Sequence, residues 1–336
     1  MGRLNTVVEQ KATIEWAKNY RDNNVLKCAG EPIPSKLHLI FNADLKKYFS
    51  LAALSRSTTA PHTLKEEAYK LVFPVRVFLE KNIEETINTV LNINDSMEGI
   101  FYGCFYGQSK KQGISVRMPL TTCQPTRLCA GACYAHDVLD AAPASVIRGA
   151  INSVIAKQYE KSEGKIQNIL LEMLTPHTRK AIRLAEKEVK LLECTNWIRR
   201  PYIRFSHVGE IAAYPQFANA LAKQVRDLSK RRVDCVVYSR HSGAAHLDPC
   251  LWIVNFTLDE DSENRRTWPT KEARIVFSAF GGRLNSDTDI NFLEHHRWDH
   301  FKPIGEGRIC PATLPETNER TCDAVQCDRC FKKFKN

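Results

Sequence analysis

Apolar and polar positions over the first hundred residues follow the period of an α-helix. The segments KATIEWAKNYRD, HTLKEEAYKLVFPVRVFLEKN and IEETINTVLNI place apolar residues three and four positions apart, which predicts amphipathic helices. Pro74 lies inside the second segment, where we expect it to kink or split the helix. The pattern therefore predicts a mainly helical region over residues 1–110.

From about residue 112 the pattern changes to short apolar runs rich in Val, Ile and Phe, which predict strands. These runs are ISVRMPL (114–120), YIRFSHVGEI (202–211), VDCVVYSRH (233–241), LWIVNFTLDE (251–260) and ARIVFSAFGG (273–282). Amphipathic segments lie between several of them, and SDTDINFLEHHRW predicts a further short helix. Strands that alternate with helices are typical of a parallel sheet with crossover helices. We therefore expect an α/β fold, with a partial or complete β/α (TIM-like) barrel of parallel strands over residues 111–305.

Composition and charge restrict the class of protein. The 336 residues are 43% hydrophobic and 26% charged, as in ordinary globular proteins. We expect no membrane span, because no run of about 18 apolar residues occurs, and the charged N-terminus is unlike a secretory signal. Twelve cysteines then suit a reducing cytoplasm, where thiols bind metals or pack in cores. A net charge of +10 suits a nucleic-acid or nucleotide partner.

Three cysteines lie close together in TTCQPTRLCAGACYA, directly after the first predicted strand of the barrel-like region. Cys123, Cys129 and Cys133 have the spacing C-x5-C-x3-C, which lets one loop place three thiolates around a metal or cluster. We expect the loop at the carboxyl end of its strand, where parallel β/α folds bind ligands. His136 can complete a zinc site, whereas a four-iron cluster held by three cysteines keeps one iron open. The residues alone leave both alternatives open.

A second cysteine group lies near the end of the sequence. Cys310 precedes TCDAVQCDRCF, which contains Cys322, Cys327 and Cys330. Four thiolates are the full ligand set of a structural zinc site and also of an iron–sulfur cluster. The spacing predicts a small metal-binding knuckle over residues 306–336, with zinc or a second iron–sulfur cluster as its metal.

Residues 112–300 resemble the radical S-adenosylmethionine superfamily in the order of their motifs. In that family a three-cysteine loop follows the first barrel strand, and an aromatic residue, here Tyr134, follows the last cysteine. The second strand of that family ends in a Gly-Gly-Glu-like turn, to which Val208-Gly209-Glu210 is similar. The loop is longer than the usual C-x3-C-x2-C, and a valine takes the place of the first glycine. The chain also resembles uncharacterised phage-encoded proteins with a Cys-Tyr-Ala loop and a cysteine-rich C-terminus.

The resemblance implies a 4Fe–4S cluster on the three-cysteine loop, bound S-adenosylmethionine and a partner protein that supplies electrons. The residues that it places around the cofactor are Tyr134, Gly209, Glu210, Thr257 and Gly281. The residues at strand ends that we expect to be catalytic are Glu210, Arg240 and Asp259. In such enzymes one electron cleaves the sulfonium, and the resulting 5′-deoxyadenosyl radical abstracts hydrogen from a substrate carbon. The expected substrate is a nucleic acid or nucleotide.

Two other interpretations of the same residues stay open. A zinc-containing TIM-barrel enzyme, similar to the transglycosylases that insert deazaguanine into DNA or RNA, would use Asp259 or Asp287 as nucleophile. A non-enzymatic, zinc-stabilised nucleic-acid-binding protein explains the charge and the cysteines, but it gives no role to Glu210 at its strand end. All three interpretations place the protein in a cytoplasm, that of the host if the chain is phage-encoded.

Overall fold

The chain forms two compact units. The first unit comprises Met1–Gly103, Pro119–Thr121 and Cys129–Val154, and the second comprises Cys104–Met118, Thr122–Leu128 and Ile155–Asn336. The computed structural model describes residues 6–23, 42–93, 106–109, 113–131, 133, 135, 143–192, 200–206, 208–280, 283–294 and 305–310. None of the helices in these ranges carries an apolar stretch long enough to cross a membrane.

Helices build the first unit, as the period of its apolar residues predicts. They are α1 (Val7–Asn23), α2 (Asn42–Leu54), α3 (His62–Ile93), the end of the short α4 (Arg127–Gly131) and the beginning of α5 (Pro143–Lys161). One hydrophobic core contains their buried side chains, among them Leu45, Tyr48, Leu51, Val75, Leu79, Ile83 and Val154. The apolar stripes of the separate segments thus bury one another.

The helix α3 continues unbroken through Pro74, so the split expected at this residue does not occur. A proline inside a helix removes one backbone hydrogen bond and costs about 3 kcal/mol. Leu71, Val75 and Leu79 lie on either side of it and are almost fully buried in the core. Burial of each such side chain contributes about 1.5–3 kcal/mol, which is enough to keep the segment helical.

A seven-stranded sheet forms the centre of the second unit, with its strands in sequential order. They are β1 (Tyr106–Ser109), β2 (Gly113–Val116), β3 (Tyr202–Phe205), β4 (Asp234–Ser239), β5 (Trp252–Leu258), β6 (Arg274–Phe280) and β7 (Ile290–Glu294). The first pair is antiparallel and the others are parallel. The α/β class with a mainly parallel sheet is therefore confirmed, whereas the sheet of the described residues is not closed into a barrel.

The two faces of the sheet have different neighbours. Helices α6 (Lys165–Leu192) and α7 (Pro215–Leu228) lie against one face, where the thiol of Cys235 donates to Ala222 O of α7 at 3.9 Å. The opposite face, called the inner face below, carries the apolar side chains Tyr202, Val236, Tyr238, Ile253, Val276, Ile290 and Phe292. On it the rings of β4 and β7 meet, with 6.1 Å between the centroids of Tyr238 and Phe292. Three strand spacings in a flat sheet amount to about 14 Å, so the sheet curves around its inner face.

The prediction of a helix from Ser286 was wrong, because the apolar residues that follow form strand β7. Ile290 pairs with Val276 of β6, and Phe292 pairs with Ser278. The segment alternates Ile290, Asn291 and Phe292, which suits a strand with one apolar face better than a helix.

Candidate functional site at the carboxyl ends of the strands

The turn after β3 has an unusual backbone. Ser206 has φ = +62° and Gly209 has φ = +67°, and a non-glycine residue enters this left-handed region only at a cost. Two hydrogen bonds hold the turn: Ile211 N donates to Ser206 Oγ at 2.8 Å, and Met118 N donates to Val208 O at 2.7 Å. The residue that follows Gly209 in this turn is buried.

That residue, Glu210, is only 7% exposed. Its Oε1 accepts the backbone N–H of Arg240 at 2.9 Å, whereas its buried Oε2 has no hydrogen-bond partner among the described residues. Burial raises the pKa of this carboxyl to about 7, and the Arg240 N–H, the nearby Ser239 hydroxyl and the Arg240 charge offset only part of that effect. Glu210 therefore offers an open acceptor atom and can change its charge near neutral pH.

The beginning of the cysteine loop is bonded to the ends of several strands. The backbone N–H of Glu210, after β3, donates to Thr122 Oγ1 at 2.7 Å. The side chain of Gln124 accepts from Ser242 N, after β4, at 2.9 Å. Thr126 donates to Asp259, after β5, at 2.6 Å. Residues 122–126 therefore run across the carboxyl ends of three neighbouring parallel strands, where such folds bind ligands.

A buried ion pair lies at the ends of β4 and β5. Arg240 Nη1 is 2.6 Å from Asp259 Oδ2, and Arg240 Nη2 donates to Ser278 Oγ of β6 at 2.7 Å. Asp259 is 0% exposed, and it also accepts the Ser262 hydroxyl at 2.8 Å. Thr257, two residues earlier in β5, is buried as well. The ion pair and its hydrogen bonds hold the Arg240 side chain in one position.

The cysteines of the loop are divided between the two units. Cys123 belongs to the second unit, and Cys129 and Cys133 belong to the first. All three are cysteines of intermediate exposure, outside disulfide bonds. Burial of its sulfur raises the pKa of Cys133 to about 12; Cys129 adds to the shift and Arg76 opposes it. No group of three or more His, Cys, Asp or Glu side chains within the described ranges lies close enough to hold a metal ion.

In the first unit, buried carboxylates of α3 hold the residues just before the cysteines. Glu80 accepts from the backbone N–H of Leu120 and pairs with Arg76. Glu84 accepts the hydroxyl of Thr121. Both carboxylates are almost fully buried, and buried charges are kept where hydrogen bonds and a counter-charge satisfy them.

Of the remaining predicted site residues, the structure describes Cys310 and Asp287. Cys310 is 5% exposed and packs against Val276 and Ile290 in a hydrophobic cluster. Tyr134, His136, Gly281, Cys322, Cys327 and Cys330 lie outside the described residues. Asp287 is exposed on the surface.

Sequence reasoning missed several polar anchors of the site, namely Thr122, Gln124, Thr126, Ser206, Ser262 and Ser278. These side chains carry no chemistry that marks a site by itself. The one signal in the sequence is position. Thr122 directly precedes Cys123, Gln124 and Thr126 lie between Cys123 and Cys129, and the three serines lie in or after predicted strands.

Comparison with protein-family models, with curated proteins and with solved structures found no match to this chain.

Proposed function

We propose that this protein is an iron–sulfur, S-adenosylmethionine-dependent radical enzyme that modifies a nucleic acid or nucleotide. The observation that carries the proposal is the buried Oε2 of Glu210, which has no partner within the described ranges. Buried acceptors are normally satisfied, so a donor from a ligand is expected here. The ammonium group of S-adenosylmethionine is such a donor, and its hydrogen bond to a carboxylate is charge-assisted.

The sheet supports the finer architecture, a partial β/α barrel. Strands β2 to β7 are parallel, and each lies beside the strand that follows it in the sequence. A β/α barrel requires this order of strands. The ring contact of Tyr238 with Phe292 requires strong curvature around the inner face. A ligand at the carboxyl ends of such strands would lie over the turn that carries Glu210.

The chain offers residues for each part of the cofactor. Cys123, Cys129 and Cys133 would hold a 4Fe–4S cluster, because cysteine thiolates are the donors that such clusters use. Their sulfurs would have to approach one another more closely than they do in the described residues. Binding requires the thiols to lose their protons. Burial raises the pKa of Cys133 to about 12, so the binding energy of the cluster would have to exceed the cost of removing this proton. When bound, the cluster and S-adenosylmethionine together supply a 5′-deoxyadenosyl radical.

The remaining residues bind and orient. Glu210 would accept the ammonium protons, and the left-handed φ of Gly209 sets the turn that presents this carboxylate. Arg240, fixed by Asp259 and Ser278, would position an anionic part of the cofactor or substrate. Thr257 lies near the carboxyl end of β5, two residues before Asp259. Tyr134 and Gly281 keep the cofactor-binding roles that the family resemblance implies.

The C-terminal cysteines keep a separate role in this proposal. Cys310, Cys322, Cys327 and Cys330 would hold zinc or a second iron–sulfur cluster. An electron-donating protein is the implied partner of the enzyme. The net charge of +10 supports a nucleic-acid or nucleotide substrate, because phosphates attract basic surfaces.

The geometry does not favour the transglycosylase alternative. Its nucleophile would be Asp259 or Asp287. Asp259 is fully buried and bonded to Arg240, Thr126 and Ser262, so its oxygens are engaged. Asp287 is an exposed turn residue whose backbone N–H donates to Asn285 at 2.9 Å. Asp259 therefore lacks the open acceptor atom that Glu210 has, and Asp287 lies on the exposed surface.

The test of the proposed cofactor is the iron and sulfide content of protein purified without oxygen. We expect about four irons with matching sulfide and a broad absorbance that dithionite bleaches. The variant with Cys123, Cys129 and Cys133 all changed to Ala should lose this iron and keep the metal of the C-terminal cysteines. Iron content that is unchanged in this variant, or zinc alone in the wild type, would contradict the proposal.

A further inference from the structure

The inner face of the sheet carries a charged side chain that has no counter-charge among the described residues. Arg204 of β3 is half-buried, and its guanidinium stacks on the ring of Tyr238, 4.4 Å from the centroid. Its Nε is buried and has no hydrogen-bond partner, and the described residues include no ion pair of this side chain. Stacking occupies one face of the guanidinium plane and leaves its N–H edge available.

A second unsatisfied donor lies on the neighbouring strand. Ser115 of β2 is the register partner of Arg204 in the parallel pair β2–β3, so both side chains project from the same face. Ser115 is 1% exposed, and its Oγ has no hydrogen-bond partner within the described part of the chain. Buried hydroxyls and guanidinium groups are normally satisfied, and here two neighbours are not.

Two arginines near this face already have a side-chain partner among the described residues. Arg240 pairs with Asp259, and Arg274 donates to Asn255 Oδ1 at 2.9 Å. Arg204 differs, because it has no counter-charge in the described part of the chain, and a half-buried cation without one costs free energy. An anionic ligand would remove that cost and accept from both unsatisfied groups.

We propose that Arg204 and Ser115 bind an anionic oxygen group, a phosphate or a carboxylate, of a small ligand on the inner face. A guanidinium edge and a hydroxyl on adjacent strands can donate to two oxygens of one such group. The proposal rests on the proposed function in one respect, since it identifies this group as part of the substrate. Ser115 lies in β2, the strand directly before the cysteine loop, and Arg204 lies in β3, the strand before the turn that carries Glu210.

The test is calorimetric titration of the full chain, purified without oxygen, with inorganic phosphate and separately with acetate, with chloride added to equal ionic strength. Arg204→Met should weaken binding of the preferred anion about tenfold or more, and Ser115→Ala about threefold to tenfold, as expected for lost hydrogen bonds to a charged and a neutral donor. Arg232→Met removes the same charge at an exposed position and should leave binding unchanged. Preference for phosphate or for acetate identifies which anion the site takes.

Thermal unfolding without added anion separates a binding role from a structural one. A binding arginine is not needed for stability, so Arg204→Met should unfold at the wild-type temperature or above it and lose the stabilisation that phosphate or acetate gives. Arg204→Lys serves as a second variant, which keeps the charge and loses the planar edge; it should bind more weakly than the wild type. The proposal is overturned if Arg204→Met binds each anion with the same affinity as the wild type, or if the wild type binds neither anion.

The iron content of the same samples keeps the two proposals apart. Binding that depends on Arg204 in protein that never takes up iron would support the anion site and contradict the radical mechanism. A four-iron cluster in protein whose anion binding does not depend on Arg204 would contradict the anion site alone.

Discussion

The backbone N–H of Glu210 donates to the hydroxyl of Thr122 across 88 positions of sequence, at 2.7 Å. This bond joins the turn after β3 to the residue directly before Cys123. It therefore links the carboxylate proposed to bind the cofactor to the loop proposed to hold the cluster. Thr122 itself is 5% exposed, so water cannot readily replace its hydroxyl.

Thr122→Val should destabilise the protein and loosen the cysteine loop. The isosteric change leaves the buried N–H of Glu210 without an acceptor, which costs about 1–3 kcal/mol. Urea denaturation measures this loss, and iron content measures the second effect. Thr267→Val makes the same change at an exposed position and serves as the control. An unchanged stability of Thr122→Val would mean that the bond does not hold the loop.

Glu210→Gln should change how stability depends on pH. The pKa of Glu210 is raised in the folded state from an ordinary value of 4.5 to about 7. The contribution of this carboxyl to the free energy of unfolding is fully present below pH 4.5, where it is protonated in both the folded and the unfolded state. This contribution is lost as pH rises through 7. Relative to wild type, the variant should therefore gain stability over this window, by an amount on the order of 3 kcal/mol.

Denaturation of wild type and Glu210→Gln at pH 4.5, 6 and 8 checks this prediction. Glu272→Gln, the same change at an exposed position, controls for the substitution itself. A constant difference between wild type and Glu210→Gln across this range would show that burial does not raise the pKa.

Asp259→Asn should be strongly destabilising. Removing one partner of a buried ion pair leaves Arg240 without its counter-charge and costs about 3–5 kcal/mol. The double variant Asp259→Asn/Arg240→Met also removes the unpaired Arg240 charge and should recover part of the lost free energy of unfolding. Chemical denaturation of both variants gives the comparison. A double variant less stable than Asp259→Asn would contradict this account of the pair.

Ser206 allows two opposing effects to be separated. Its φ of +62° favours glycine, and its hydroxyl accepts from Ile211 N. Ser206→Ala keeps the strain and loses the bond, whereas Ser206→Gly loses the bond and relieves about 1 kcal/mol or more of strain. We expect Ser206→Ala to be the less stable of the two by urea denaturation. The reverse order would show that the chain entropy of glycine outweighs the strain.

Much of the fold can be predicted from apolar runs. Strands β4, β5 and β6 and the helix from Pro215 follow from residue type and spacing alone. Strand β3 ends at Phe205, earlier than the glycine turn at which the sequence predicts its end, because the left-handed Ser206 stops it. The connections between β4, β5, β6 and β7 contain no α-helix within the described residues, so the alternation of strands with helices is limited to the first part of the sheet.

The candidate site is less predictable from sequence. Glu210, Arg240 and Asp259 can be picked out as charged residues at strand ends. Their roles differ, because Asp259 is satisfied within the protein and Glu210 is not, and only the contacts distinguish them. Thr122 carries no sequence signal of its own, since its bond to Glu210 forms only when strands distant in sequence become neighbours.

The central claim is that Glu210 accepts the ammonium group of S-adenosylmethionine, and calorimetric titration without oxygen tests it most directly. Wild type and the Glu272→Gln control should bind this molecule, more tightly as pH rises through 7 and Glu210 ionises. Glu210→Gln should bind it about 10- to 100-fold more weakly, the loss expected for one charge-assisted hydrogen bond, and without that pH dependence. Equal affinity of wild type and Glu210→Gln, or no binding by wild-type protein that contains its cluster, would contradict the claim.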